Sequence, residues 1–427
     1  MKNWILGGIA MSLFLAPDGA SAQNNFPLVP ATLVKPRGGI GNVLAKLNAG
    51  RDVKIAYFGG SITAADGWRP KSLKWFQQTW PNAKISEVNA AIGGTGSDLG
   101  VYRNQQDVLN FKPDLVFVEF AVNDGGASPE NIWRGMEGIV RQTWKANPET
   151  DIAFVYTLHT GMKDDLKKGM HPRSASAMEK LADYYNIPSI SVALKMTQMA
   201  EAGTLIYVPE KDADGKDKPA PEGIVLFSTD GVHPLDAAHQ IYAEVVADAI
   251  KAMMPDAKTG AHELKAPLQA DNWENAKIVP LQQSMLSPGW KKLNDASPFK
   301  GFFNRMPEMW EATQPGEKLM FRFKGTAVKL YDLLGPDGAK VKITLDGKES
   351  IAQRFDSYSS YHRLATLWIA ENLPDTEHAV SVEILPEQPD RSIVTNIEKV
   401  KPGFDPKRYD GTAMRVGGIM LIGDLVP

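Results

Sequence analysis

The chain has 427 residues, of which 43% are hydrophobic and 23% are charged, and its formal net charge is -3. This length predicts two or three domains, and a net charge this small gives no sign of a nucleic-acid partner or an anionic membrane surface. Cysteine is absent, which excludes a cysteine nucleophile, thiolate metal ligands and disulfides.

Residues 1–22 have the pattern of a secretory signal peptide. A lysine at position 2 precedes an apolar stretch over 4–15, and small residues at 20–22 form a cleavage signature. A buried N-terminal helix and a membrane anchor are the alternatives, but the apolar stretch is shorter than the roughly 20 residues of a transmembrane helix. We therefore expect cleavage after Ala22 and a secreted or periplasmic protein without membrane contact.

Residues 23–255 are predicted to form the first domain, in which strands and helices alternate from about residue 50 to 254. The strands are expected at 53–58, 85–88, 115–122, 152–158 and 187–192, and the helices at 71–80, 97–109, 129–146, 174–185 and 235–253. The strands are mostly apolar on both faces, which is typical of parallel strands covered by helices on both sides. This pattern predicts a three-layer α/β domain with a parallel five-stranded sheet.

The pattern changes after this domain. Residues 256–274 are polar without a sustained period and are predicted to form a linker. From 275 to 427 the apolar residues alternate at period two between glycine, proline and aspartate turns, which predicts an all-β sandwich resembling a jelly roll. Within the first domain, a charged and proline-rich insertion over 203–228 is too long for a routine loop, and is either a functional flap or a flexible excursion.

Polar residues follow several predicted strands at the points where they end. Ser61 follows the first strand after two glycines, a glycine-rich segment over 89–97 follows the second, and Asn123 follows the third. Asp230 and His233 come before the last helix. The carboxyl ends of parallel strands share one edge of a sheet, so these groups are expected to lie together. A serine nucleophile needs an oriented base and donors for the oxyanion, although Ser61 alone would also suit a simple glycine turn.

These motifs together resemble the SGNH (GDSL-like) hydrolase superfamily over roughly residues 50–250. Ser61 in FGGSIT matches the nucleophile block, although Gly-Gly-Ser replaces the usual Gly-Asp-Ser. Gly94 in NAAIGG matches the oxyanion glycine. Asn123 matches the Gly-x-Asn-Asp block, with alanine where glycine is usual, and Asp230 and His233 match Asp-x-x-His. These two departures from the family motifs affect residues that support the turns. The residues that would react are all present.

The resemblance implies a serine esterase without a cofactor. Ser61 would attack the ester carbonyl, His233 would act as base and then acid, and Asp230 would orient the imidazole. The oxyanion would be held by the backbone N–H groups of Ser61 and Gly94 and by the carboxamide of Asn123. No metal site is expected, because no other group of His, Asp and Glu has ligand spacing.

Other candidate residues have both a structural and a functional interpretation. Asp124 is expected to form a turn and His239 to be buried and hydrogen-bonded, whereas His159 and His171 are expected in loops or at the surface, within possible reach of substrate. The aromatic residues considered for sugar contact are Trp68, favoured over Trp80, and Tyr358 and Tyr361 in the second domain. For all of these aromatic side chains, packing in a core is the alternative.

A signal peptide, a domain of this type and an appended β domain are similar to bacterial carbohydrate esterases. The favoured function is therefore removal of O-acetyl groups from a polysaccharide or oligosaccharide through an acyl-enzyme. The alternatives are a general esterase, lipase or thioesterase that acts on small acyl esters, and a non-catalytic carbohydrate-binding protein. The sequence leaves the glycan, the acetylated hydroxyl and the oligomeric state open.

Overall fold

The computed structural model describes residues 26–255 and 258–426. The chain divides into two compact units, with the boundary between Glu274 and Asn275. The predicted signal peptide, residues 1–22, lies outside the described residues. Among the described helices, none combines the length and the apolar character that crossing a bilayer requires.

The first unit alternates strands and helices along the chain. Its elements in order are β1 (Val34–Lys35), α1 (Gly41–Asn48), β2 (Val53–Gly59), α2 (Ser61–Ala64), α3 (Trp68–Thr79), β3 (Ile85–Asn89), α4 (Ser97–Asp107), β4 (Leu115–Glu119), α5 (Pro129–Ala146), β5 (Asp151–Tyr156), α6 (Lys163–Lys167), α7 (Arg173–Tyr185), β6 (Ser189–Ser191), α8 (Val192–Glu201), β7 (Leu205–Ile206), β8 (Val225–Leu226) and α9 (Asp236–Met253).

The main sheet of this unit has six strands in the order β1-β6-β5-β4-β2-β3. Strands β2 to β6 are parallel, which confirms the predicted five-stranded parallel sheet, and the short β1 adds an antiparallel edge. Helices cover both faces. Tyr57 and Phe117 lie in one core with side chains of α3 and α9, whereas Phe58 lies on the opposite face beneath Arg103 of α4.

Helix α5 shows how local sequence sets an element boundary. The Ser128 side chain accepts a hydrogen bond from the backbone N–H of Asn131, and Pro129 occupies the first helical position. A serine cap and a proline at this position both favour helix initiation. The helix consequently begins and ends at the residues predicted from the sequence.

The two ends of the 203–228 insertion lie side by side in the first unit. Strands β7 and β8 pair in parallel, with Leu205 opposite Val225 and Ile206 opposite Leu226. The backbone N–H of Ser228 then donates to the carbonyl of Tyr207. Most residues between the two strands are exposed, so the insertion forms an excursion closed at its base.

The segment 258–274 belongs to the first unit and packs along α5. The Glu137 carboxylate accepts hydrogen bonds from the backbone N–H groups of Leu268 and Gln269. The His262 ring stacks on Trp144 with a centroid distance of 4.8 Å. These contacts fix the course of the chain along α5 as far as the unit boundary.

The second unit is built from antiparallel strands. Its elements in order are β9 (Ala276–Val279), β10 (Lys291–Lys292), β11 (Trp310–Ala312), β12 (Lys318–Leu334), β13 (Lys340–Leu345), β14 (Lys348–Gln353), β15 (Arg363–Ala370), β16 (Thr376–Ile384), α10 (Ser392–Glu398) and β17 (Met414–Val426). The second unit is a β domain as predicted, and the helix α10 is an addition to the predicted all-β pattern.

Two long strands organise the second unit. Strand β12 pairs with β17 over much of its length, with β16 along its first half and with β15 along its second half. The first residues of β12 alternate between exposed and buried, as the period-two pattern predicted. The hairpin turn between β13 and β14 has positive φ angles of 49° at Asp346 and 79° at Gly347. A two-residue primed turn has this conformation.

Trp68 is a core residue, which corrects its predicted role in sugar binding. The side chain is only 1% exposed, and its ring packs against Tyr57 and Phe117. Its indole N–H donates to Oγ1 of Thr63 at 3.2 Å. Because α3 begins at Trp68 and directs this side chain onto the sheet, no face of the ring is free for a sugar.

We expect Trp68→Ala to lower the free energy of unfolding by about 3–5 kcal/mol, because it removes a large buried side chain. Chemical denaturation followed by circular dichroism measures this change. Trp75→Ala, on the same helix and only partly buried, is the matched control and should cost less. Unchanged stability in Trp68→Ala, with activity lost only on glycans, would contradict the core assignment.

Candidate active site

Ser61 lies at the junction of strand β2 and the short helix α2. The strand ends at Gly59, Gly60 has an extended conformation, and Ser61 is the first helical residue. The first N–H groups of a helix have no partner within the helix, so the Ser61 N–H is available to a ligand. The side chain is half-buried at the carboxyl edge of the sheet.

A chain of hydrogen bonds joins the three predicted reacting side chains. The Oγ of Ser61 is 2.8 Å from Nε2 of His233, and Nδ1 of His233 is 2.6 Å from Oδ2 of Asp230. When Nδ1–H donates to the carboxylate, Nε2 is left to accept the serine proton. The His233 and Asp230 side chains are 29% and 34% exposed, so a substrate has access to them.

Asp230 is held by its own loop. Its Oδ1 accepts hydrogen bonds from the backbone N–H groups of Val232 and His233 and from the hydroxyl of Ser228, each at 2.8 Å. Partial burial pushes the pKa of Asp230 upward, but the hydrogen bonds from His233, Val232 and Ser228 outweigh it and hold the pKa well below its usual value. The carboxylate is therefore ionised at neutral pH.

The two loops that carry the predicted oxyanion residues Asn123 and Gly94 lie beside Gly60 and Ser61. Asn123 begins a 3-10 helix after β4, and its carboxamide lies so close to Gly60 that a Cβ there would be 2.0 Å from Oδ1. The loop after β3 passes on the other side, where a Cβ on Gly93 would be 3.5 Å from the Cβ of Ser61. The next residue, Gly94, is exposed and has no neighbouring atom within 4 Å of its Cβ position.

Glu119 lies beneath the serine turn and was missed in the sequence. It is fully buried at the end of β4 and accepts hydrogen bonds from Thr63 at 2.8 Å and from Thr157 at 2.6 Å. Burial raises the pKa of Glu119 to about 7, against the hydrogen bonds from Thr157, Thr63 and the Gly60 backbone. The only signal in the sequence was one acidic residue inside an otherwise apolar strand.

Asp124 connects the loop that carries Gly94 with the turn that begins at Asn123. The side chain is 3% exposed, and its Oδ1 accepts the backbone N–H of Ser97 at 2.9 Å. Ser97 begins α4, directly after the loop that carries Gly94, so this bond sets the distance between that loop and Asn123. Burial raises the pKa of Asp124 to about 7. Asp124 forms a turn as predicted, and it also joins this turn to a second loop.

The remaining histidine candidates differ in position. His239 is 6% exposed and accepts the backbone N–H of Trp68 on Nδ1, which confirms the prediction of a buried and hydrogen-bonded residue. His171 was expected in a loop or at the surface, but it is 1% exposed and packs edge-on against Tyr156. His159 is half-buried in the loop after β5.

The tyrosines proposed for sugar contact lie in the second unit. Tyr361 is 46% exposed and Tyr358 is half-buried, so their role in substrate binding stays a prediction. Within residues 26–255 and 258–426, no three histidine, aspartate or glutamate side chains are grouped in a way that would hold a metal ion.

The region that contains this site has a family match. Residues 57–241 match the model of the GDSL-like lipase/acylhydrolase family. This range lies within the first unit, which is therefore similar to GDSL-like acylhydrolases. The matched range begins in β2 and ends in α9, so it includes the residues that line the site.

Comparison with known proteins extends the similarity to both units. A crystal structure of a two-domain esterase (CEX), described as active on acetylated mannans and co-crystallised with mannopentaose, has a TM-score of 0.69 at 19% identity. The match covers 94% of this chain and 99% of that one. A second structure of a two-domain esterase (CEX) active on acetylated mannans gives 0.69 at 20% identity, over 92% of this chain and 98% of that one. At this identity the likeness shows a shared fold.

A shorter match is to a lipoprotein of Bacillus subtilis (strain 168), YqeF, at 28% identity over 119 residues. The match covers 26% of this chain and 45% of YqeF, less than half the length of that relative.

We expect Gly60→Ala to lower kcat on a small aryl acetate roughly 100-fold or more, which is the order of the loss when an oxyanion donor is removed. The added methyl group would lie 2.0 Å from Oδ1 of Asn123 and displace its carboxamide. The control is Gly126→Ala, in the 3-10 helix that begins at Asn123, because no atom lies within 4 Å of the added carbon. Equal kcat values for the two variants would contradict this role of Gly60.

The raised pKa of Glu119 predicts a pH-dependent effect on stability. Between its ordinary value of 4.5 and about 7, the residue stays protonated in the folded state and ionises in the unfolded state. Its contribution to the free energy of unfolding therefore falls as the pH rises through this window and is constant above it. Glu119→Gln removes this contribution.

We therefore expect the stability of Glu119→Gln relative to wild type to increase from pH 5 to pH 7 and then to level off. Urea unfolding of both proteins at each pH unit from 5 to 8 measures the difference. A difference that does not change with pH would show that Glu119 is ionised in the folded protein.

Proposed function

We propose that the protein is a secreted serine esterase that removes O-acetyl groups from a polysaccharide or oligosaccharide. The observation that carries this proposal is the hydrogen-bond chain from Ser61 through His233 to Asp230 at the open edge of the sheet. The family match over 57–241 supports the same chemistry. The reaction needs no cofactor, because all its groups come from the chain.

In the acylation step, the Oγ of Ser61 attacks the acetyl carbonyl carbon while Nε2 of His233 takes the serine proton. The ionised Asp230 stabilises the imidazolium that forms. The tetrahedral intermediate collapses, the bond to the sugar oxygen breaks, and His233 gives its proton to the departing hydroxyl. The product of this step is an acetyl ester on Ser61 and a deacetylated glycan.

Hydrolysis of the acetyl-enzyme follows the same course with water as the nucleophile. His233 removes a proton from the water and then returns it to Ser61, and acetate is released. In both steps the negative oxygen accepts hydrogen bonds from the N–H groups of Ser61 and Gly94 and from the carboxamide of Asn123. Such preorganised donors act on charge that develops only in the transition state.

Several features support a glycan rather than a lipid. The excursion between β7 and β8 is charged and mostly exposed, whereas a lipase flap is expected to be apolar. The two-domain fold is shared with an esterase described as active on acetylated mannans. Tyr358 and Tyr361 supply aromatic surface in the second unit for stacking on sugar rings. The signal peptide predicted over 1–22 supports export to the compartment that holds such polymers.

Acetate release from acetylated mannan, xylan and pectin, beside hydrolysis of short and long aryl esters, tests this function. We expect acetate release from at least one glycan. Ser61→Ala should abolish the release, and Asn123→Ala should lower kcat by about 10²–10³-fold with wild-type unfolding behaviour.

The alternatives give different outcomes. Activity on aryl esters with none on any glycan would indicate a general esterase. A wild type that is inert on all esters but retained on a polysaccharide column would indicate a carbohydrate-binding protein. Wild-type turnover in Asn123→Ala would exclude its carboxamide from the oxyanion site.

A further inference from the structure

His159 occupies the sheet edge beside the candidate active site, with no assigned role. It follows β5, which lies next to β4 in the sheet, and it precedes the 3-10 helix Thr160–Met162. Since β4 leads to Asn123, the two loops emerge side by side. The His159 side chain is half-buried, so part of the ring faces solvent.

The surroundings of His159 define which ring nitrogen carries the proton. Its Nδ1 accepts the backbone N–H of Gly161 at 3.1 Å, so the neutral ring bears its hydrogen on Nε2. Burial lowers the pKa of His159, which keeps the ring neutral near pH 7. In the described part of the chain, no protein atom is hydrogen-bonded to Nε2. The ring therefore presents a fixed and unused N–H donor.

Two contacts place this donor at the active site. A Cβ on Gly125, two residues after Asn123, would be 3.9 Å from Nε2 of His159. The backbone N–H of Thr160 donates to the carbonyl of Gly231, two residues before His233, at 2.8 Å. His159 thus stands between the turn that begins at Asn123 and the loop that carries His233.

We propose that the Nε2–H of His159 donates a hydrogen bond to an oxygen atom of the sugar, on the alcohol side of the ester. This inference rests on the proposed function. An acetyl group has one acceptor, its carbonyl oxygen, for which Ser61, Gly94 and Asn123 already supply donors. A further neutral donor at the same edge matches the hydroxyl, ring or glycosidic oxygens of the sugar.

The role of His159 predicts a change in substrate preference. His159→Ala should lower kcat/KM on an acetylated manno- or xylo-oligosaccharide roughly five- to tenfold, as expected for loss of one uncharged hydrogen bond. Hydrolysis of 4-nitrophenyl acetate, which has no sugar, should stay at the wild-type rate. His159→Gln retains an N–H donor and should recover part of the oligosaccharide activity.

His262→Ala is the matched control, since His262 is also a partly exposed and hydrogen-bonded histidine, paired with Asp151 at the opposite end of β5. It should leave the ratio of the two activities unchanged even where it lowers stability. The ratio therefore separates a substrate contact from a structural effect.

An unchanged ratio in His159→Ala, whether both activities persist or both fall equally, would overturn the contact. A wild type that hydrolyses 4-nitrophenyl acetate but releases no acetate from the oligosaccharides would instead overturn the proposed function, and with it the sugar ligand of His159. Acetate release by the wild type therefore shows whether the proposed function or only the His159 contact has failed.

Discussion

The carboxylate of Glu119 accepts hydrogen bonds from Thr63 and Thr157 in the middle of the carboxyl edge of the sheet. Thr63 lies two residues after Ser61, and Thr157 comes directly after β5. One buried group therefore fastens the turn of the nucleophile to two neighbouring strand ends. An apolar side chain of the same size would avoid the desolvation cost, but it would leave both buried hydroxyl groups without this acceptor.

Three carboxylates around the site have different properties because their surroundings differ. Asp230 lies on a partly exposed loop among N–H and hydroxyl donors, and its pKa is lowered. Glu119 and Asp124 are completely enclosed, and burial raises the pKa of each to about 7. The first is suited to stabilising a cation on His233, whereas the other two hold loops in place. Environment rather than residue type divides these functions.

The arrangement of the site was largely predictable, because a parallel sheet brings the ends of its strands to one edge. Ser61 and Asn123 could be placed together on that basis. Asp230 and His233 follow β8, which lies outside this sheet, and they were recognised from the Asp-x-x-His motif. Glu119 could not be found in this way, since its partners depend on which strands are neighbours and on the direction of two threonine side chains. Trp68 was misplaced because distance along the chain from Ser61 does not reveal which side of α3 faces the sheet.

For the second unit too, the sequence predicts the local elements but not how they pair. Period-two alternation predicted strands, and the glycine, proline and aspartate residues between them predicted turns, of which Asp346-Gly347 is one. The alternation did not reveal that β12 and β17 are long and change partners along their length. A register shift beside Gly325 marks one such change. Partner exchange of this kind depends on tertiary packing and has no local sequence signature.

The pairing of β7 with β8 closes the base of the excursion between them. Changes of sequence within the excursion are thereby separated from changes at the active site. Because Leu205 and Ile206 pair with the residues that lead into the Asp230 loop, the chain returns to one fixed point whatever lies between. Residues in the excursion are therefore free to vary in number and charge while the ester-cleaving groups keep their spacing. An insertion or deletion between the two strands would therefore leave the Asp230 loop at the same position in the first unit.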